Sequence, residues 1–547
     1  MAETADVDGS GPGPAGSGQR RLLVVLVPGL TAPLPRWASL QGRLSQEADF
    51  NPAHTVWLPI DHRLHALSLG RLETHAVNIA AQINATWLSH GGFDDVLLIG
   101  HSMGGPLIRR AYLLAAADSG PAPGEWAAAV RRIVLFASIS RGIDMNARWG
   151  RRLVAWLLRM TPLLPRFVTE DAMRGSTFLT NLRLDWINHF ARLHQAPLVV
   201  QLLGTRDSMV TSEDSRDLLA FPTARYLSVP DADHTSLLSL DDAPDAEVRY
   251  AVLRKALLGR FEAGEDVIRP DVDVERVVFL LHGIRASIVE EWLEDLAARI
   301  QQRGGGRVVV IAPEYGWVSA AGFALPPIRG KFVRVLQDQY TQAVARYPRA
   351  EFSVIAHSNG TYMLGHAMLK SPGMRFQRVY LAGSVLPQDF WGRFAPRPLP
   401  AGRIRNDCAN RDWPVALLCN ALNGVRMKDV GTGGFAGFLG NSTQEVAYLA
   451  GGHDAALLEK RRDGVVDFIL GQNVAVATDV RDPGWFRPFS NAMPYVAWIL
   501  VCAFVVVSAL GAFSNRVPSA LAFEFHPVFT CVLVLSVLAV YILLDIS

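Results

Sequence analysis

Residues 100–104 read GHSMG, a serine held between two glycines. Ahead of it lies an apolar run, DVLLIG at 95–100, and behind it a helical pattern, GGPLIRRAYLLAAA. A G-x-S-x-G pattern between a strand and a helix is a nucleophile elbow, a sharp turn that lifts a hydroxyl clear of a sheet. Small residues two before and two after the serine let strand and helix approach. Ser102 is therefore the expected nucleophile.

A serine hydroxyl is a weak nucleophile and needs a base, and the base needs an orienting acid. On such a sheet they follow in the order serine, acid, histidine. The apolar run at 198–204, LVVQLLG, ends in Thr205-Arg206-Asp207, and Asp207 is the expected acid. The next strand-like run leads to Pro230-Asp231-Ala232-Asp233-His234, and His234 is the expected base. Asp231 or Asp233 are the competing acids, and Asp207 read as a mere helix cap is the competing role. His101 is expected only to pack or hydrogen-bond beside the nucleophile. Two backbone N–H groups must face the developing oxyanion. They are assigned to Met103, after the nucleophile, and Leu30, in the loop closing the run VPGL at 27–30.

The same plan recurs downstream. RLLVVLVPG at 21–29 is answered by RVVFLLHG at 276–283, and the first elbow by FSVIAHSNG at 352–360. Gly29 precedes Ser102 by 73 positions, and Gly283 precedes Ser358 by 75. Ala356 replaces the first glycine of the second elbow and is still small. The second set is Ser358, Asp412 and His453, with Asp407 competing as the acid and the N–H groups of Asn359 and Ile284 as oxyanion donors. The interval from serine to histidine is 95 residues here against 132 in the first half, so a comparable cap is missing.

Short apolar runs alternating with helical patterns predict parallel sheets covered by helices on both faces. The fold class is α/β, with two domains of this mostly parallel kind and a C-terminal transmembrane hairpin. Expected boundaries are a disordered tail at 1–19, a first domain at 20–262 with a helical cap about 143–195, a second domain at 271–475, and transmembrane helices at 493–513 and 527–544. Within the cap, Trp149, Leu153, Trp156, Leu157 and Met160 fall at helical spacing among arginines. That pattern reads either as an interfacial lid or as an ordinary packed helix.

The chain of 547 residues carries 53 basic and 51 acidic side chains, a net charge of +2, without a basic block. Nucleic acid is therefore a poor partner. Cys408, Cys419, Cys502 and Cys531 form no CxxC pair, which argues against a disulfide scaffold or a cysteine zinc site. No metal or organic cofactor is expected. Residues 495–513 and 527–544 carry no charged side chain, and each run approaches the ~20 residues that span a bilayer. Arg481 and Arg487, ahead of the first run, place the large N-terminal part in the cytoplasm by the positive-inside rule. The start of the chain has no signal-peptide pattern, in keeping with that side. Two buried core helices are the alternative reading of the runs.

On VPGL at 27–30, GHSMGG at 100–105, GTRDSMV at 204–210, DHTSLL at 233–238 and GSTFL at 175–179, the first half resembles α/β-hydrolase lipases. It is most similar to the group of GPI inositol deacylases and bacterial triacylglycerol lipases. It departs from them at 137–142, ASISRG, where that group often has Thr-Pro-His-x-Gly. The second half resembles the superfamily only. With the uncharged C-terminal runs read as an anchor, the resemblance implies a membrane-anchored serine hydrolase of lipid or other hydrophobic carboxylic esters. An acyltransferase using the same residues and a non-catalytic interaction protein on degenerate hydrolase folds are the alternatives.

Overall fold

The computed structural model describes residues 20–514 apart from 31–36, 63, 65–67, 69, 118–120, 144–167, 194, 211–223, 241–244, 262–270, 284–290, 317–319, 441–443, 473–477 and 480–485. Six strands make the first sheet: β1 Leu22–Val27, β2 Thr55–Pro59, β3 Asp95–His101, β4 Val130–Phe136, β5 Leu198–Gly204 and β6 Arg225–Val229. Their order is β2-β1-β3-β4-β5-β6. Six more make the second: β7 Arg276–Leu281, β8 Val308–Ile311, β9 Glu351–His357, β10 Phe376–Ala382, β11 Ala401–Ala409 and β12 Gln444–Leu449. Read from β8, their order is β8-β7-β9-β10-β11-β12, the same permutation as the first. Every pairing in both sheets is parallel.

The apolar runs form strands because helices shield both faces of each sheet. In β7 the alternation is visible in the packing. Val277, Phe279 and Leu281 enter the core on one face, and Val278 and Leu280 enter that on the other. This is the two-residue period of a strand, with both faces buried. One helix leaves each central strand: α1 Gly104–Ala115 after β3, and, in the second half, Asn359–Lys370 after β9.

The halves meet along a seam of two helices, α2 Thr177–Phe190 and α3 Pro326–Arg346. Ser176 caps α2, its hydroxyl accepting from the Leu179 N–H at 3.2 Å. On one side α2 packs on α1, with Tyr112 near Trp186 and the Arg109 guanidinium over the Trp186 ring. On the other it meets α3, where Leu184 of α2 joins the second half's core. Gly175 has φ +68, and a Cβ there would lie 2.0 Å from the Arg334 carbonyl oxygen. Asp338 of α3 sits buried between Arg141 at 3.2 Å and Arg183 at 3.5 Å, and accepts from Gln342 at 2.7 Å. The described part of the expected cap thus forms the joint between the halves. The arginine-rich segment of that cap, 148–166, lies outside the described residues.

Cys408 and Cys419 are buried free thiols, and burial pushes both far above the usual thiol range. The first expected membrane run falls on a helix from Arg487 to Ser514, whose side chains are described to Ala503. The second run and the expected N-terminal tail lie outside the described residues. Among the described residues no helix is long and apolar enough to cross a membrane.

The seam yields a stability prediction. Removing the carboxylate with Asp338→Ala leaves two buried guanidinium groups without their shared counter-charge. Removing one partner of a buried ion pair costs about 3–5 kcal/mol, so urea unfolding of the variant should begin at clearly lower denaturant. An unchanged midpoint would show that the seam does not depend on Asp338.

Candidate active site

Ser102 stands between the end of β3 and the start of α1 with φ +52. That backbone region is unfavourable for a residue with a Cβ and persists only where its surroundings impose it. Here glycines permit the crowding. A Cβ on Gly104 would lie 2.0 Å from the Val27 carbonyl oxygen, and one on Gly29 would lie 2.8 Å from the Ser102 Cβ. The serine N–H donates to the Phe136 carbonyl at 2.8 Å, tying the turn to β4.

His234, on the loop after β6, brings Nε2 to 2.9 Å from Ser102 Oγ and Nδ1 to 2.9 Å from Asp207 Oδ2. The three residues come from loops after three different strands, all at the carboxyl edge of the sheet. Asp207 Oδ1 accepts from the N–H groups of Met209 at 2.8 Å and Val210 at 2.9 Å. Burial alone would raise the Asp207 pKa. The His234 hydrogen bond and those two N–H groups outweigh it and hold the carboxyl below the usual range. An ionised Asp207 facing Nδ1 favours the tautomer whose Nε2 lone pair accepts from the serine hydroxyl.

The competing acids have other partners. Asp231 pairs with Arg206 at 2.7 Å. Asp233 accepts from the N–H groups of Thr235 and Ser236 at 2.8 and 2.7 Å and so shapes the turn after His234. His101 does more than pack: its Nε2 lies 3.0 Å from the His234 carbonyl, clamping the base's loop to the strand that carries the nucleophile. Met103 N-caps α1, and an N–H in this first turn has no carbonyl four residues back to bond. Leu30 follows Gly29, whose backbone is pressed against Ser102.

The second half repeats the strained elbow and the histidine–carboxylate pair. Ser358 has φ +54, and its N–H donates to the Ala382 carbonyl at 3.0 Å. A Cβ on Gly360 would lie 2.4 Å from the Leu281 carbonyl oxygen, as for Gly104 in the first half. His453 Nδ1 is 2.9 Å from both carboxylate oxygens of Asp412, which is fully buried. Asp407 is engaged elsewhere, accepting from the Tyr380 hydroxyl at 2.7 Å and from Arg405 at 2.9 Å. Geometry therefore pairs His453 with Asp412 and gives Asp407 a role inside the strand layer. His357 Nε2 lies 3.2 Å from Asp454 Oδ1, so the residue before this serine also reaches the base's loop. Asn359 opens the following helix and is buried, and its side-chain amide has no hydrogen-bond partner among the described residues. Ile284 lies outside the described residues.

Sequence reasoning missed two features. His62 Nε2 is 2.8 Å from the Pro28 carbonyl, and the Tyr315 hydroxyl donates to the His282 carbonyl at 2.5 Å. Both ring residues lie in the loop after the second strand of their sheet and hold the stretch that leads to the expected oxyanion donor. Gly383 was also missed. It has φ +52, and a Cβ there would lie 2.7 Å from the His453 Cε1, where the first half has Ala137 at φ +43. Aligning the two halves strand by strand would have brought both pairs into view.

Six parallel strands in this order, with a serine on the turn leaving the third, define an α/β-hydrolase architecture. Residues 24–249 match the model of the alpha/beta hydrolase family. No curated protein matches the chain. Among solved structures it is similar to the lin2722 product of Listeria innocua, at 15% identity over 46% of this chain and 99% of the other, TM-score 0.31. It is also similar to a lipase-esterase related protein of Clostridium acetobutylicum, at 16% identity over 43% and 95%, TM-score 0.29. A thermophilic esterase of Thermogutta terrifontis aligns at 15% identity over 44% and 91%, TM-score 0.28.

The Asp233 turn predicts a pH effect. Hydrogen bonds from Ser236 and Thr235 hold this carboxylate down at about 2. A depressed folded pKa stabilises above the unfolded value of ~3.9 and loses that contribution as pH falls through the folded one. Asp233→Asn should flatten the acid side of the stability curve between those two values. NMR titration of the wild-type carboxyl near its unfolded value would contradict the assignment.

Proposed function

We propose that the protein is a membrane-associated serine hydrolase of carboxylic esters, acting on lipid or other hydrophobic acyl substrates. The observation that carries this reading is the unbroken hydrogen-bond chain Asp207–His234–Ser102 on a strained turn. Ser102 Oγ attacks the ester carbonyl as His234 Nε2 takes its proton. The carbonyl electrons move to oxygen, which faces the N–H groups of Met103 and Leu30. Collapse breaks the bond to the alcohol oxygen, which leaves with the proton from His234. Water then repeats the sequence on the acyl-enzyme, releasing the acid and restoring Ser102. Asp207 stays ionised throughout and stabilises the imidazolium.

Ser358, His453 and Asp412 are proposed to run the same chemistry in the second half. What supports this is the shared strand order, the equally strained serine and the doubly contacted His453–Asp412 pair. Membrane association is supported by the uncharged run at 495–513 and by apolar side chains exposed at its start. The arginines ahead of that run favour a cytoplasmic position for both centres.

Labelling with a fluorophosphonate probe tests the assignment. Wild type should carry label at both serines, Ser102→Ala and Ser358→Ala at one each, and the double variant at none. Asp207→Asn, assayed in a Ser358→Ala background with a soluble acyl ester, should lower turnover by about 10³–10⁴-fold through loss of the productive tautomer. Undiminished label on the double variant would overturn the reading.

A further inference from the structure

The helix Arg487–Ser514, here α4, has two unlike sides over its described residues. Its inner side is fastened to the second half. Buried Ser490 donates from Oγ to the Ala416 carbonyl at 2.7 Å, and Asn420 Nδ2 donates to the Ser490 carbonyl at 2.7 Å. Trp498 Nε1 donates to the Gly424 carbonyl at 3.0 Å. A Cβ on Gly424 would lie 2.5 Å from Pro494, so the absence of a side chain sets the distance of approach. Residues 490, 494 and 498 recur every fourth position and make one stripe.

The outer side is apolar and uncovered among the described residues. Tyr495 is 73% exposed, Ile499 65% and Leu500 64%. Contiguous exposure of this kind marks an interaction surface. The sequence indicates what covers it. Arg487 is the sole charged residue in the helix, Tyr495 and Trp498 follow, and the remainder to Ser514 is uncharged. Cation, then aromatic, then apolar is the order in which a chain enters a bilayer.

The stripe also lies close to a catalytic residue. Asp412 Oδ1 accepts from the Val415 N–H at 3.1 Å, and its carbonyl accepts from the Ala416 N–H at 2.9 Å. Ala416 is the residue whose carbonyl receives Ser490. The path from His453 to α4 therefore runs through Asp412 and a single turn of the helix Pro414–Cys419. Trp413, between them, is 63% exposed.

We infer that the outer face of α4 seats on a phospholipid bilayer and holds the Ser358 centre against it, so that this centre draws its ester from membrane lipid. The inference rests on the hydrolase reading of the second half. The Ser102 centre lies in the other half, across the α2–α3 seam, and has no such tie to α4 among the described residues.

The test uses the full chain with vesicles of phosphatidylcholine and phosphatidylglycerol. First, an environment-sensitive fluorophore is placed at Ile499→Cys, with Cys502 and Cys531 replaced by Ser. Doxyl lipids should quench it strongly, and should leave a fluorophore at exposed Leu88→Cys unquenched. Second, Ser102→Ala isolates the Ser358 centre. Adding Gly424→Val, which wedges α4 off its seat, should lower fatty-acid release from vesicles by about tenfold, through lost effective concentration. Hydrolysis of a soluble butyrate ester should stay unchanged, which also reports that the variant is folded. Ser490→Ala should shift the same ratio in the same direction by a smaller amount. No quenching at 499 overturns the docking, as does a stable dimer that buries α4 without lipid. Equal loss on both substrates, or none, overturns the link to the Ser358 centre. If Ser358 cleaves neither substrate, the hydrolase reading of the second half fails, and quenching at 499 alone decides the docking.

Discussion

A serine at φ near +50 can exist only where its neighbours leave the backbone no alternative. In both halves the turn is wedged against the strand two sheet positions from β4 or β10, and contact is so close that glycine is required at the meeting points. Gly104 lies on the Val27 carbonyl, and Gly360 on that of Leu281. The strain is held by the packing of two strands and a helix against one another. Such stored strain is common at functional sites, where it pre-organises a reacting group. All other parts of the site need only bring loops to the same sheet edge.

That edge collects its residues for a topological reason. In a parallel sheet all strands point the same way, so the loops leaving their carboxyl ends gather on one side. Asp207 and His234 follow neighbouring strands, β5 and β6, and Ser102 follows β3. Helices must return the chain to the opposite edge between them. The order of the sheet thus converts residues separated by more than a hundred positions into hydrogen-bond partners.

The two halves satisfy the same constraint with different chemistry around it. Tyr315 serves where His62 does, its hydroxyl and the His62 Nε2 each binding a carbonyl in the loop after the first strand of the sheet. Glycine at 383 makes room for the His453 ring, whereas Ala137 occupies the matching position. The clamp from the residue before the serine reaches a backbone carbonyl in the first half and the carboxylate of Asp454 in the second. These are substitutions within one scheme. The joint between the halves was made from a segment that sequence alone would read as a lid.

The sequence by itself determined the strands, the two elbows and the identity of Ser102 and Ser358. Those signals are local: an apolar run, a small residue, a serine and a glycine at fixed spacing. The uncharged runs at 495–513 and 527–544 are equally local, being a matter of missing charge. Tertiary structure decided which carboxylate meets each imidazole. Asp207, Asp231 and Asp233 look alike along the chain, as do Asp407 and Asp412. Their roles separate only once Arg206, the Thr235–Ser236 turn, Tyr380 and Arg405 claim the others. It also decided that α2 faces α3, because a buried Asp338 meets guanidinium groups from residues 197 and 155 positions earlier, Arg141 and Arg183. Pairing across the chain depends on where the sheet sends each loop, and no stretch of sequence carries that information alone.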